Sequence, residues 1–150
     1  MRRTAGMEGY FLDETQGEVA DFGVVGMRLI ISKAETGGSF AIAEFRGAAG
    51  PWTVPHIHRG LEESFYVLEG SFGFTLGADE VEAEEGAFVM VPRGTSHVMR
   101  AGPGGGALLT LWSPGGLEEM FLELARLPAD SITDAAVRAE IASRFDSIPV

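Results

Sequence analysis

The chain has 150 residues, with 22 Asp and Glu against 11 Lys and Arg, so its formal net charge is -11. This charge argues against a nucleic-acid or anionic-membrane partner, because such surfaces are bound through basic patches. The sequence contains no cysteine, which excludes disulfides, thiolate metal ligands and a cysteine nucleophile. The length is that of one ordinary domain with its own hydrophobic core.

The N-terminus carries Arg2 and Arg3, but no apolar stretch follows them. A secretory signal requires such a stretch, so we expect none here. The chain also lacks the run of about 18 apolar residues that a membrane-spanning helix needs. These two features predict a cytoplasmic protein with no membrane partner.

Between residues 23 and 112, short apolar runs alternate with Gly, Pro and acidic residues. Strands this short and this regularly spaced predict an all-β sandwich or barrel. The predicted strands are Met27–Ser32, Phe40–Phe45, Ser64–Leu68, Phe72–Leu76, Ala87–Val91, His97–Arg100 and Ala107–Trp112. We therefore expect a single domain whose sandwich or barrel spans about residues 23–113.

Two of these strands are separated by Glu69 and Gly70, which predicts a hairpin with a two-residue turn. Directly opposed residues of a hairpin share one face of the sheet. The predicted register gives an apolar face with a single carboxylate, made of Glu63, Phe65, Val67, Phe72, Phe74 and Leu76. A carboxylate in an apolar wall is costly unless it meets a cation or hydrogen-bond donors.

After Pro114 the apolar residues recur at helical spacing. Leu117, Met120, Phe121 and Leu124 predict one amphipathic helix, which Pro128 ends. A second helix is predicted from Ser131–Asp134 onward, with an apolar stripe of Val137, Ile141 and Phe145. This tail, about residues 117–146, is too short to stand alone, so we expect it to dock on the barrel or on a second subunit.

The three histidines of the chain are candidates to supply a cation site for the single carboxylate of the apolar face. His56 and His58 are two residues apart, which places them on the same side of an extended chain. His97 begins another predicted strand, and Glu63 lies on the apolar face. Imidazole and carboxylate together suit Fe, Mn, Co, Ni, Cu or Zn. The alternative is that these are ordinary core or surface histidines.

These residues match two motifs of a known family. The first motif is Gly50, five residues, His56-Ile57-His58, four residues, Glu63, six residues and Gly70. The second is Gly86, five residues, Pro92-Arg93-Gly94, two residues and His97, with Ala101 where the family usually has Asn. With this pattern the chain resembles the cupin superfamily. The segments Thr36–Phe40 and Ser113–Glu119, with the helical tail, resemble small single-domain cupins described as quercetin dioxygenase-like.

The resemblance implies a small antiparallel β-barrel of the jelly-roll type with two short C-terminal helices. It makes His56, His58, Glu63 and His97 the ligands of one divalent transition metal, with Glu63 also serving as a proton acceptor in catalysis. Glu62 is a rival for the carboxylate ligand, but both the motif spacing and the predicted face favour Glu63. Pro92 and Gly94 would shape the turn that aims His97.

Several apolar residues are expected to surround this centre. Those predicted to line a substrate pocket are Val54, Phe65, Phe72, Phe74 and Met99. The alternative for each is plain core packing, because the interior of a small barrel is filled by side chains. Arg59 and Arg93 lie near the ligand loops, where they either orient an anionic substrate or remain solvated.

Three functions remain open from the sequence. The first is an oxygenase acting on a hydrophobic small molecule that carries an enol or phenol, in the manner of a quercetinase. The second is a non-redox isomerase or cyclase of a carbonyl or polyketide substrate. The third is a cupin that binds a small molecule without turning it over. Tyr66 and Leu68 on the outer face, with the helix stripes, also predict a homodimer.

Overall fold

The computed structural model of the chain describes residues 8–150, so Arg2 and Arg3 lie outside the described residues. The strands are β1 (Val19–Asp21), β2 (Val25–Ile31), β3 (Ala41–Gly47), β4 (Gly50–Pro51), β5 (His56–Ile57), β6 (Glu62–Leu76), β7 (Asp79–Glu84), β8 (Phe88–Val91), β9 (His97–Ser113) and β10 (Ile148–Pro149). The helices are α1 (Lys33–Thr36), α2 (Glu118–Ala125), α3 (Ala129–Ile132) and α4 (Ala135–Ser143).

Strand β9 is the centre of the sheet, because it pairs with β3, β4, β5 and β6. Strand β6 carries β7 and β8 on its other edge, and β3 is followed by β2 and β1. Every pair is antiparallel. The predicted all-β fold of antiparallel strands, a cupin-type barrel, is confirmed.

The predicted hairpin at Glu69 and Gly70 is wrong, because β6 runs through both residues without turning. Its register against β9 shifts between Val67 and Glu69, and again between Gly70 and Phe72. Gly70 has a φ of 73° and lies against Gly106, so a side chain at Gly70 would collide with the backbone of β9. The glycine that predicted a turn therefore marks a β-bulge and a close approach of two strands.

The same explanation applies to β9. The predicted strands His97–Arg100 and Ala107–Trp112 are one continuous strand, and the glycines between them are part of it. The true hairpin of β6 turns at Gly77 and Ala78 and leads into β7, which is not among the predicted strands. Strand β1 was also missed.

The predicted apolar face is nevertheless largely buried, although the hairpin that predicted it does not exist. Glu63, Phe65 and Val67 are buried before the bulges, and Phe72 and Phe74 are buried after them. Before the two register shifts the odd-numbered residues of β6 point into the barrel, and after them the even-numbered residues do. Both halves of the predicted face therefore point inward. The core therefore has the composition that the sequence predicted, on a different backbone path.

The C-terminal tail docks on the barrel, which is one of the two predicted alternatives. Phe121 of α2 contacts the rings of Phe22, Phe45 and Trp112, at centroid distances of 5.9, 5.1 and 5.6 Å. The tail has three helices instead of the predicted two, since the four-residue α3 precedes α4. The side chain of Asp134 caps α4 by accepting hydrogen bonds from two backbone N–H groups. Among residues 8–150, none of the helices is long and apolar enough to cross a membrane.

A buried carboxylate fastens the start of this tail to the barrel. Glu118 is completely buried at the beginning of α2. Its Oε1 accepts a hydrogen bond from the backbone N–H of Lys33 (2.8 Å), and its Oε2 accepts one from that of Gly116 (2.6 Å). The next residue, Glu119, is half-exposed and forms an ion pair with the Lys33 ammonium.

Candidate metal centre

Four buried side chains converge at one end of the barrel. His56 lies on β5, His58 directly follows that strand, Glu63 is near the start of β6 and His97 begins β9. Strands β5 and β9 pair directly through His56 and His97. One ligand atom from each of the four residues lies within 4.8 Å of the others. This group can hold a metal ion.

A backbone carbonyl fixes the orientation of each imidazole ring. The Nδ1 atom of each histidine lies within hydrogen-bond distance of a backbone carbonyl, that of Val54 for His56, Asp146 for His58 and Thr95 for His97. A carbonyl oxygen only accepts, so each Nδ1 carries the proton. The neutral tautomer then has its lone pair on Nε2, as metal-binding histidines do.

The two oxygens of Glu63 have different surroundings. Oε1 faces the Nε2 atoms of His58 and His97, at 3.3 and 3.0 Å. Oε2 accepts a hydrogen bond of 2.5 Å from the indole N–H of Trp112. Three inward-facing nitrogens and one carboxylate oxygen are therefore gathered at a common point. This donor set fits a divalent transition metal.

The charges of the group are strongly coupled. Burial, and next the charge of His97, lowers the pKa of His56 to about 4, so its imidazole is neutral near pH 7. Burial opposes charge on His58 too, but the hydrogen bond and charge of Glu63 outweigh it and raise the pKa of His58. Burial would raise the pKa of Glu63, yet the hydrogen bonds that His58 and His97 donate from Nε2 when their rings are protonated lower it well below its usual range. Glu63 is thus the anionic partner of the three imidazoles.

The structure separates Glu63 from its rival Glu62. The side chain of Glu62 is partly exposed and accepts a hydrogen bond from the Arg93 guanidinium at 3.1 Å. Glu62 therefore points away from the four-residue group. Arg93 is engaged in that surface ion pair, and Arg59 is exposed.

A cavity of about 550 Å³ opens beside the group. Its wall combines residues of the barrel with residues of the tail and is mostly apolar. Aromatic and methionine side chains of the wall are Phe22, Phe45, Phe65, Met99, Trp112, Met120 and Phe121. The wall also includes the three histidines and Glu63, so any molecule that enters the cavity meets the candidate metal centre.

The five predicted pocket residues occupy two different environments. Val54, Phe65 and Met99 line the cavity, and Val54 is 66% exposed at its rim. Phe72 and Phe74 are not part of its wall but belong to the packed interior, where Phe72 contacts Trp52 and Phe74 contacts Phe65. Phe72 and Phe74 therefore fit the alternative of plain core packing that was stated for each predicted pocket residue.

Sequence reasoning missed the contribution of the C-terminus. The carbonyl of Asp146 holds the His58 ring, and its carboxylate accepts hydrogen bonds from the backbone N–H groups of Arg59 (2.8 Å) and Gly60 (2.7 Å). Strand β10 then pairs with β5, directly beside His56. The helices α2 and α4 supply one side of the cavity wall. No local sequence pattern predicts these contacts.

Residues 45–113 match the family model described as a cupin domain. The matched segment includes all three histidines, Glu63 and Trp112, whereas Asp146 lies outside it. The predicted resemblance to cupins is confirmed.

A curated relative is quercetin 2,3-dioxygenase of Bacillus subtilis, which is 28% identical over 115 residues. The alignment covers 77% of this chain but 34% of the relative, so this chain spans about a third of that protein's length.

Solved structures support the same fold. KdgF from Halomonas sp. superposes with a TM-score of 0.65 at 18% identity, covering 74% of this chain and 98% of the other. An RmlC-like cupin from Shewanella frigidimarina gives 0.62 at 21% identity, covering 75% and 96%. A variant of oxalate decarboxylase from Bacillus subtilis gives 0.60 at 19% identity, covering 68% of this chain and 28% of the other.

Asp146→Ala is expected to weaken divalent-metal binding by about tenfold, as loss of groups that orient metal ligands commonly does. The backbone N–H groups of Arg59 and Gly60 lose their acceptors, so the segment that carries His58 loosens. Competition with a chromophoric chelator measures the affinity. Asp130→Ala, an exposed carboxylate on α3, is the matched control and should bind as the unaltered protein does. Equal affinities for the two variants would contradict the role of Asp146.

Proposed function

We propose that this cupin is a metal-dependent oxygenase that acts on a hydrophobic small molecule bearing an enol or phenol group. The observation that carries the proposal is the combination of four converging donors with an apolar cavity of about 550 Å³ at the same place. The relative named quercetin 2,3-dioxygenase supports it, since a flavonol is a molecule of this class.

The proposed metal ligands are the Nε2 atoms of His56, His58 and His97 and the Oε1 atom of Glu63. Three neutral imidazoles and one carboxylate leave a divalent ion with a net charge of about +1, and a six-coordinate ion would keep about two open positions. When bound, such an ion would lower the pKa of an enol or phenol and bring it together with dioxygen.

The residues of the chain would do the remaining work. The aromatic wall, including Phe65 and Met99, would hold the ring system of the ligand and exclude water from it. The carbonyl-bound Nδ1 atoms would keep the imidazoles in place while the ligand binds. Glu63 would accept the proton of the enol or phenol, which makes it the proposed catalytic residue.

Oxygen uptake tests the proposal. The protein is stripped with a chelator, reloaded separately with Fe, Mn, Co, Ni, Cu or Zn, and mixed with quercetin as the probe in an oxygen electrode. We expect uptake with at least one redox-active metal and none with the stripped or zinc-loaded protein. Quercetin binding without oxygen uptake for every metal would contradict an oxygenase and favour a binding cupin. Isomerisation or ring closure of a carbonyl or polyketide substrate without uptake would favour the non-redox alternative.

We also propose that the cupin is a homodimer. Tyr66 of β6 and Phe88 of β8 are direct cross-strand neighbours on the outer face, and both are exposed, with Met90 beside them. Light scattering at micromolar concentration should give twice the chain mass of 16.0 kDa. Phe88→Glu should give a monomer, whereas Val19→Glu, at an exposed position on β1, should not. A single-chain mass for the unaltered protein would contradict the dimer.

A further inference from the structure

Trp112 is the residue in direct contact with Glu63 on the side away from the histidines. The two residues are cross-strand partners, since β6 and β9 pair through Glu63 and Trp112. The indole is completely buried, and its Nε1–H donates to Glu63 Oε2 at 2.5 Å. A buried indole N–H needs an acceptor, and a buried carboxylate oxygen needs a donor, so the bond satisfies both groups.

We propose that Trp112 is a positioning residue that makes Glu63 a single-oxygen ligand of the metal. The inference rests on the proposed metal site. Because the indole occupies Oε2, the other oxygen, Oε1, is the one that faces His58 and His97. Rotation of the carboxylate to bring Oε2 toward the ion would break the bond to the indole.

The indole itself is held from several sides. Its ring stacks on Phe121 of α2, with centroids 5.6 Å apart, and meets Phe45 edge-on at 6.1 Å. These contacts fix the direction of the N–H group, so the hydrogen bond is aimed before any ion binds. The docked helix α2 therefore supports the metal ligand through Phe121 and Trp112.

The indole N–H is a donor only, and it does not titrate near neutral pH. It favours the anionic form of Glu63 without offering a proton to it. If the N–H is removed, Oε2 loses its partner and becomes free to turn toward the metal. A second carboxylate oxygen on the ion would occupy one of the positions that a substrate oxygen or dioxygen needs.

The test removes the N–H group and leaves the shape of the ring. The chain contains two tryptophans, Trp52 and Trp112, so Trp52→Phe leaves Trp112 as the one site for a tryptophan analogue. This variant is produced in a tryptophan-auxotrophic host with benzothienylalanine, in which sulfur replaces the N–H. The matched control is Trp112→Phe with the analogue at position 52, compared with the same variant containing tryptophan. Each protein is titrated with Co(II), and affinity and visible absorption are recorded.

The analogue at position 112 should lower the Co(II) affinity by about tenfold, in the range found for groups that orient metal ligands. It should also change the visible absorption, because a second carboxylate oxygen would take one of the coordination positions of the ion. The analogue at position 52 should change neither property, since the Trp52 indole donates to the carbonyl of Ala48. Unchanged affinity and spectrum with the analogue at position 112 would overturn the role of Trp112. Absence of Co(II) binding by the tryptophan-containing Trp52→Phe protein and the unaltered protein would instead overturn the proposed metal site, and this inference with it.

Discussion

Glu63→Gln is expected to lower the affinity for a divalent metal ion by more than about 100-fold, because it exchanges an anionic ligand for a neutral amide. The amide has nearly the same shape as the carboxylate, so the barrel should remain folded. Its oxygen can still accept the hydrogen bond from Trp112, which leaves the NH₂ group facing His58 and His97. Competition with a chromophoric chelator measures the loss, and circular dichroism checks the fold.

Glu62→Gln is the matched control for this prediction. The two carboxylates are neighbours in the chain, but Glu62 is partly exposed and pairs with Arg93 at the surface. Its replacement should leave the metal affinity unchanged. Loss of binding on changing Glu62, with binding retained on changing Glu63, would reverse the assignment of the carboxylate ligand.

Glu118→Ala is expected to lower the free energy of unfolding by about 2–4 kcal/mol, since a buried donor left without its partner costs about 1–3 kcal/mol. The change leaves the backbone N–H groups of Lys33 and Gly116 without the carboxylate that they bind. Chemical denaturation followed by tryptophan fluorescence measures the difference. Glu118→Gln retains an acceptor oxygen, so its free energy of unfolding should lie between that of the unaltered protein and that of Glu118→Ala.

Glu119→Ala tests whether burial is the reason. Glu119 is adjacent to Glu118, but its ion pair with Lys33 is about half exposed. Exposed ion pairs stabilise proteins by less than about 1 kcal/mol, so this change should have a small effect. Equal destabilisation by the two alanine variants would contradict the account of how the tail is fastened to the barrel.

The candidate site was predictable because its residues form two local patterns. The spacing of His56, His58 and Glu63 is visible within eight residues, and His97 stands in a motif of its own. The carboxylate could be chosen because alternation along a strand places Glu63 inward and Glu62 outward. These inferences need no knowledge of long-range contacts.

The strand ends could not be predicted in the same way. A glycine serves equally in a tight turn and at a bulge where two strands approach closely. Gly70 and Gly106 predicted breaks between strands, but both lie within strands, where Gly70 of β6 pairs with Gly106 of β9. Which role applies depends on the partner strand, and the local sequence holds no information about it.

The supports of the metal centre were hidden for a related reason. Asp146 lies 88 residues from His58, and Trp112 lies 49 residues from Glu63. Trp112 was visible only as an apolar residue of a strand, and Asp146 only as one of 22 acids. Their roles arise from strand register and from the path of the C-terminus, both of which are set by tertiary packing.

Metal content tests the central claim most directly. The unaltered protein and the double variant His56→Ala/His58→Ala are purified in the same way and supplied with the same divalent metals. Elemental mass spectrometry then gives the metal content per chain of each protein. The account predicts one tightly bound transition-metal ion per chain in the unaltered protein and none in the double variant, with circular dichroism showing both to be folded. The same metal content in the two proteins would contradict it.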